Sequence, residues 1–228
     1  ILEGLSISNG MFVDIGGGYG LLTRLMRDRG FDCYTTDKYC QNLFAKSFEP
    51  SAHFKAHALL AFEVMEHIED PVRFLSTMFH QYSCKTLIFS TLTFANRIPG
   101  KDWWYYSFES GQHITFYQPR TLSLLAERLG CQYYGLDSWL HIVTDRQISQ
   151  TARFILFNKK IFNLYAIAVR RKRKNLSKTW DDCLKGKEHP KTSQQDISVN
   201  GMSLASERIV NNRDQKEAVM ANKSGKQG

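Results

Sequence analysis

The stretch Asp14-Ile15-Gly16-Gly17-Gly18-Tyr19-Gly20 follows the apolar run Met11-Phe12-Val13 and precedes Leu21-Leu22. A glycine-rich turn therefore stands where a strand should hand over to a helix. In parallel α/β sheets ligands bind beyond the carboxyl ends of the strands. Glycine lets a ligand approach the backbone there, and the following helix offers free N–H groups. Two cofactor classes use such a turn. A dinucleotide site expects Gly-x-Gly-x-x-Gly, but the third position here is Leu21. The spacing that fits is an acid, x, Gly, x, Gly, x, Gly, over Asp14, Gly16, Gly18 and Gly20, with Gly17 inside it. Asp37 ends the next strand, and one carboxylate can accept hydrogen bonds from both hydroxyls of a ribose. Asp37 points to a ribose without choosing the cofactor.

A second set consists of Glu63, Glu66, His67 and His113. The first three stand at i, i+3 and i+4, which puts them on one face of a helical turn. His113 lies in a later loop. Carboxylates and imidazoles together can move a proton at neutral pH. They could also hold Mg²⁺ or Mn²⁺ with positions open for a substrate diol. The plainer reading keeps Glu63 near the cofactor and uses Glu66 and His67 to orient the turn, so no residue is assigned to a metal. Trp103-Trp104-Tyr105-Tyr106 is a third feature. Four large rings in a row cannot all face one core, so some are expected to line or cover a pocket.

These residues need elements to hold them. The patterning predicts strands at 11–15, 33–36, 58–62, 86–90, 133–136 and 164–169, and helices at 21–29, 71–82 and 119–129. Asp70 is expected to cap the second helix, with Pro71 at its first position. Strands alternating with helices predict an α/β, doubly wound, mostly parallel sheet.

The chain has 228 residues, 43% of them apolar, and a net charge of +8. The charge is not spread evenly. Residues 1–169 carry 16 basic and 15 acidic side chains, whereas residues 170–191 carry 9 and 3. The excess follows Leu164–Val169 as Arg170-Arg171-Lys172-Arg173-Lys174. It reads as the solvated end of a last strand, with a phosphate- or membrane-contacting patch as the other reading. Five scattered cysteines without a Cys-x-x-Cys pair argue for free thiols and a reducing, cytoplasmic setting. No run of 18 uncharged apolar residues predicts a membrane span. Residues 1–185 read as one domain, and 186–228 as a polar, disordered tail.

The motifs resemble those of class I S-adenosylmethionine (SAM)-dependent methyltransferases. The acid-glycine pattern of residues 14–20 is complete. LLAFEVMEHIEDP (59–71) is similar to their segment after the fourth strand, and GQHITFYQPRTLSLLAERLG (111–130) to the segment after the fifth. NLFAKSFE (42–49) and DWWYY (102–106) fit a bacterial-type branch acting on small molecules or glycans. The resemblance implies a Rossmann-like sheet of seven strands with SAM as cofactor. It implies a cofactor site of Asp14, Gly16, Gly17, Gly18, Gly20, Asp37, Phe62 and Glu63, with Asp14 toward the cationic end of SAM. Glu66, His67 and His113 become the catalytic candidates. The family's acid for the adenine amino group has no clear counterpart, Glu49 being the nearest.

The expected acceptor is a small molecule or glycan, methylated at oxygen. The E-x-x-E-H set with a later His is also similar to that of metal-dependent small-RNA 2′-O-methyltransferases, although the nearly neutral body of the domain speaks against nucleic acid. A non-catalytic SAM-fold binding module is the third reading. It gives no reason to keep the glycine motif and Asp37.

Overall fold

The computed structural model describes residues 1–95, 97–173 and 176–188. The chain opens with turns and then forms β1 (Met11–Ile15), α1 (Leu21–Arg27), β2 (Asp32–Thr36), β3 (Ala58–Phe62), α2 (Pro71–Gln81) and β4 (Thr86–Ser90). It continues through α3 (Pro119–Arg128), β5 (Gln132–Gly135), β6 (Leu140–Thr144), α4 (Gln150–Phe157), α5 (Lys159–Arg173) and α6 (Thr179–Glu188). Two 3-10 turns, Met65–His67 and Trp104–Tyr106, follow β3 and β4.

The strands lie in the order β2-β1-β3-β4-β6-β5. The first four are parallel, while β6 runs antiparallel to both β4 and β5. Both faces of the sheet are covered, so the central strands are apolar on both sides and read as continuous runs. Alternate residues feed two cores. Val13, Leu59, Leu87 and Val143 pack with Leu75, Phe79, Leu122 and Leu125 of α2 and α3. Phe12, Leu60, Ile88 and Ile142 pack with Leu2, Leu5, Ile7, Ala152 and Leu156. Asp70 does cap α2, accepting from Arg73 N at 3.0 Å, with Pro71 in the first turn.

Three sequence expectations are corrected. The sheet has six strands among the described residues, not seven. A further βαβ unit takes roughly 30 residues, and residues 37–57, which return from β2 to β3, are too few. They form a loop tied to β2 where Thr35 N donates to Phe48 O at 2.8 Å. The predicted strand at 164–169 lies inside helix α5. There Phe162, Tyr165 and Val169 recur at helical spacing and turn inward, and the basic run ends a helix, where cations complement the dipole. Finally, β6 was not anticipated. Asp137 Oδ1 accepts from Trp139 N (2.7 Å) and Leu140 N (2.8 Å), turning the chain into the β5–β6 hairpin. Lys174 and residues 189–228, including most of the expected tail, lie outside the described residues. Among the described residues no helix is long and apolar enough to cross a membrane.

Candidate active site

Strands β1 and β3 are parallel neighbours, so their carboxyl ends reach the same edge of the sheet. The glycine turn leaves β1 there and the segment 63–67 leaves β3. The two touch. Gly16 has φ 65°, and a Cβ on it would stand 2.9 Å from Val64 Cγ2. Only glycine lets the turn settle on that segment. Gly18 also has positive φ, at 55°, and a Cβ there would meet nothing within 4 Å. Its backbone faces open space that a ligand can enter. Gly17 N donates to Thr36 O, and Gly20 begins α1.

Asp37 stands at the end of β2, beside this turn. Its carboxylate accepts from Gly18 N (2.9 Å), Tyr39 N (2.7 Å) and Cys40 N (2.8 Å). Burial alone would raise its pKa, but these three N–H groups hold the carboxyl below its ordinary range. A fixed, ionised acceptor therefore faces a cleft that Gly18, Thr35, Thr36, Cys40, Asn42 and Glu49 also line. Glu49 accepts from Asn42 Nδ2 at 2.6 Å. Asp14 is buried in β1. Burial first, and the charge of Asp37 second, push its carboxyl up to about 7. Asp14 Oδ2 and Thr35 Oγ1 are buried without a hydrogen-bond partner. Orphaned polar atoms beside an open glycine turn are what a polar, partly cationic ligand would satisfy. The donor set fits SAM on those grounds.

The second set gathers a short distance on. Phe62, 37% exposed, ends β3. Glu63 has φ 55°, an uncommon conformation for a residue with a side chain. Ser90, at the end of β4, secures it: Glu63 N donates to Ser90 Oγ (2.9 Å), which donates to Glu63 Oε1 (2.5 Å). Glu63 therefore precedes the 3-10 turn and does not share a helical face with Glu66 and His67, as the spacing suggests. Glu66, His67 and His113 come together, with one ligand atom of each within 4.8 Å of the others. The loop carrying His113 is stitched to that turn by Ile114 N and Thr115 N, both donating to Glu66 O, at 2.9 and 3.0 Å.

The tautomers follow from the partners. His67 Nδ1 lies 2.9 Å from Gln112 O, and His113 Nδ1 lies 2.7 Å from Tyr105 O. A carbonyl only accepts, so each Nδ1 carries the proton. In the neutral ring each Nε2 is then a base or a ligand. The rings meet edge to face at 4.9 Å. Glu66 is fully buried, and neither carboxylate oxygen has a hydrogen-bond partner. The nearby Tyr105 hydroxyl is engaged with Thr91 Oγ1 and Leu92 N. Burial raises the Glu66 pKa, and the charge of Glu63 adds to the rise. This trio could hold a divalent cation or move a proton.

The aromatic run divides as its crowding requires. Tyr105 is buried against His113, with ring centroids 4.6 Å apart. Trp104 is 67% exposed and stacks on Trp139. Thr35, Ser90 and Tyr105 are the site residues that motif reading missed. Threonine and serine at strand ends carry no spacing signal, and Tyr105 was visible only as one of four rings.

A family model described as a methyltransferase domain matches residues 3–135. No curated protein matches the chain in sequence. Similar solved structures include CalO1, a methyltransferase in calicheamicin biosynthesis, in its S-adenosylhomocysteine (SAH)-bound form. It is 14% identical with a TM-score of 0.45, over 61% of this chain and 50% of that one. Magnesium protoporphyrin IX methyltransferase from Synechocystis PCC 6803, with bound SAH, is 16% identical with a TM-score of 0.40, over 59% and 73%. A possible histamine N-methyltransferase from Thermotoga maritima is 14% identical with a TM-score of 0.42, over 64% and 89%. The chain thus spans half the length of the calicheamicin protein.

Proposed function

The chain belongs to the methyltransferase-domain family of class I SAM-dependent enzymes, and from that premise we propose that it methylates an oxygen of a small-molecule or glycan-like acceptor. The methyltransferase unit runs to residue 185. The observation that carries the reading is the contact of the glycine turn, through Gly16 and Val64, with the segment holding Glu66 and His67. Bound in the turn, SAM would supply a methyl activated by its sulfonium, open to in-line attack by an acceptor oxygen with SAH as the leaving group. Asp37 would hold the ribose hydroxyls, and Asp14 would meet the ammonium. Gly17, Gly20 and Phe62 would complete the cofactor wall, together with Glu63, which Ser90 braces. His113 Nε2 takes the acceptor hydroxyl proton. The Glu66 carboxylate, within 4.8 Å, offsets the imidazolium charge that results. The exposed ring of Trp104 suits a sugar or planar acceptor. Five free cysteines support a cytoplasmic setting.

Calorimetric titration with SAH tests the cofactor half. Micromolar affinity, roughly 8 kcal/mol, is expected, with loss of at least about 100-fold in Asp37→Ala and no heat from NAD. Heat from NAD, or an indifferent Asp37→Ala, would sink it. The acceptor half is read as SAH release from SAM over a panel of sugars, sugar nucleotides and catechols. Uniform silence across that panel, with SAM bound, would count against it.

The pH dependence has a definite sign. Asp14, raised to about 7 when folded, is neutral below that pH. The ligand ammonium favours the ionised form, so SAH affinity should fall as pH drops from 8 to 6. At about pH 6.5, binding should release a proton, seen as buffer-dependent heat. Buffer-independent heat would place Asp14 outside the contact.

A second reading is favoured by the Glu66–His67–His113 geometry: metal-assisted 2′-O-methylation of RNA, with a divalent cation on the two Nε2 atoms and Glu66. It predicts that EDTA abolishes transfer and Mn²⁺ or Mg²⁺ restores it, with RNA binding steeply weakened by salt. Transfer indifferent to EDTA excludes it.

A further inference from the structure

Helix α5, the longest among the described residues, carries a surface that neither core explains. Its inner row, Phe162, Tyr165 and Val169, is half-buried, and Arg173 below them is buried, donating to Glu3 Oε1 (3.0 Å) and Ser8 O (2.8 Å). The opposite row is Lys160, Leu164, Ile167 and Arg171, at spacings of four, three and four that align them along one stripe. Leu164 is 69% exposed and Ile167 is 51% exposed. On α4, Ala152 and Leu156 are buried, while Phe154 is 62% exposed. Residues 150–173 contain seven basic side chains and no acid.

We infer that the outer faces of α4 and α5 dock the protein on the surface of a lipid bilayer containing anionic lipid. Two properties of the stripe select that partner. Its middle is aliphatic and its ends are cationic, so Leu164 and Ile167 enter the headgroup boundary while Lys160 and Arg171 reach lipid phosphates. The charge is one-signed, which complements an anionic leaflet. Beside the stripe, a recess of about 480 Å³ lies between Asp28, Arg29, Ile167, Arg170, Arg171 and Arg173, large enough for a phosphate headgroup. Nucleic acid shares the preference for cations but gains nothing from exposed leucine and isoleucine. Its contacts are to phosphates and to aromatic stacking platforms. The inference stands apart from the methyl-transfer reading, since no residue of the candidate active site takes part.

The test is sedimentation of the whole chain with vesicles of phosphatidylcholine alone, or with about a third phosphatidylglycerol. Binding to the anionic vesicles only, weakened by salt, is expected. Leu164→Gln with Ile167→Gln should weaken it about tenfold or more. Arg171→Gln with Lys172→Gln should do the same. Circular dichroism melting checks the fold of each variant. If the apolar pair melts early, Leu164→Gln alone carries the test. Equal binding to neutral vesicles overturns the proposal, as does no binding to anionic vesicles at low salt. Binding to an RNA duplex that outcompetes the vesicles and ignores the Leu164 change overturns it too.

Discussion

Glu66→Gln is expected to make the protein more stable and less active at once. The carboxyl is fully buried and neither oxygen has a close hydrogen-bond partner, so the folded state carries a desolvation cost that the Tyr105 hydroxyl and His67 relieve only in part. Its folded pKa is raised by burial, with Glu63 adding. A raised acid favours the protonated folded state. Stability therefore falls as pH rises from the ordinary carboxylate range through the raised value, and stays low above it. Glutamine keeps the shape and removes the charge. At pH 8, in EDTA so that no cation contributes, the gain should be about 1–3 kcal/mol. That corresponds to a melting shift of roughly 2–4 °C per kcal/mol. The gain should shrink toward pH 5. Transfer should drop by about 10²–10⁴-fold, because the imidazolium at His113 loses its counter-charge. SAH affinity should barely move. A variant that melts lower and transfers normally would make Glu66 an ordinary structural acid.

This trade-off explains which parts of the site are legible in the sequence. The glycine turn and Asp37 are constrained by backbone geometry, and geometry leaves fixed spacing. His113 lies 46 positions beyond His67, and bonds between the two segments, from Ile114 N and Thr115 N to Glu66 O and between His67 Nδ1 and Gln112 O, bring the two rings together. No spacing encodes that contact. Glu63 illustrates the opposite failure. Its offset from Glu66 mimics a helical turn, yet Ser90 holds its backbone in the left-handed region. The same limit governs the fold. Strands β3 and β4, buried on both faces, have continuous apolar centres bounded by polar turns, and β1 is apolar but for the buried Asp14. Residues 164–169 are also a continuous apolar run, and only length and the inward row at 162, 165 and 169 mark them as helix. Strand β6 hides behind an Asp137 turn that also reads as loop.

The other large effect concerns the last described helix. Asp182→Ala should cost about 3 kcal/mol, because it strips buried Arg27 of its two closest carboxylate bonds and leaves it Cys33 O at 3.3 Å and the partly exposed Asp32 at 3.6 Å. Arg27 Nε and a terminal nitrogen each donate to Asp182 at 2.7 Å, and Arg24 joins at 3.0 Å. The Arg27 guanidinium also lies 3.5 Å over the Phe48 ring, so it cannot move to water without breaking that stack. Burial pushes the Asp182 carboxyl up, but Arg27 and Arg24 outweigh it and hold it below its ordinary value. The pair's stabilisation is therefore complete above the ordinary carboxylate pKa and is lost as pH falls through the depressed one. Urea melts of wild type and variant should differ most above pH 5 and converge in acid. Arg27→Met with Asp182→Leu should recover much of the loss, since an apolar pair has no charge to bury. Arg27 ends the helix that Gly20 begins, so this clasp steadies the glycine turn from α6. A chain ending at residue 185 keeps Asp182 and should bind SAH as the whole chain does. A chain ending at residue 175 lacks it and should bind more weakly, with earlier melting. Equal affinity and melting in the two truncations would show that α1 holds the turn without α6.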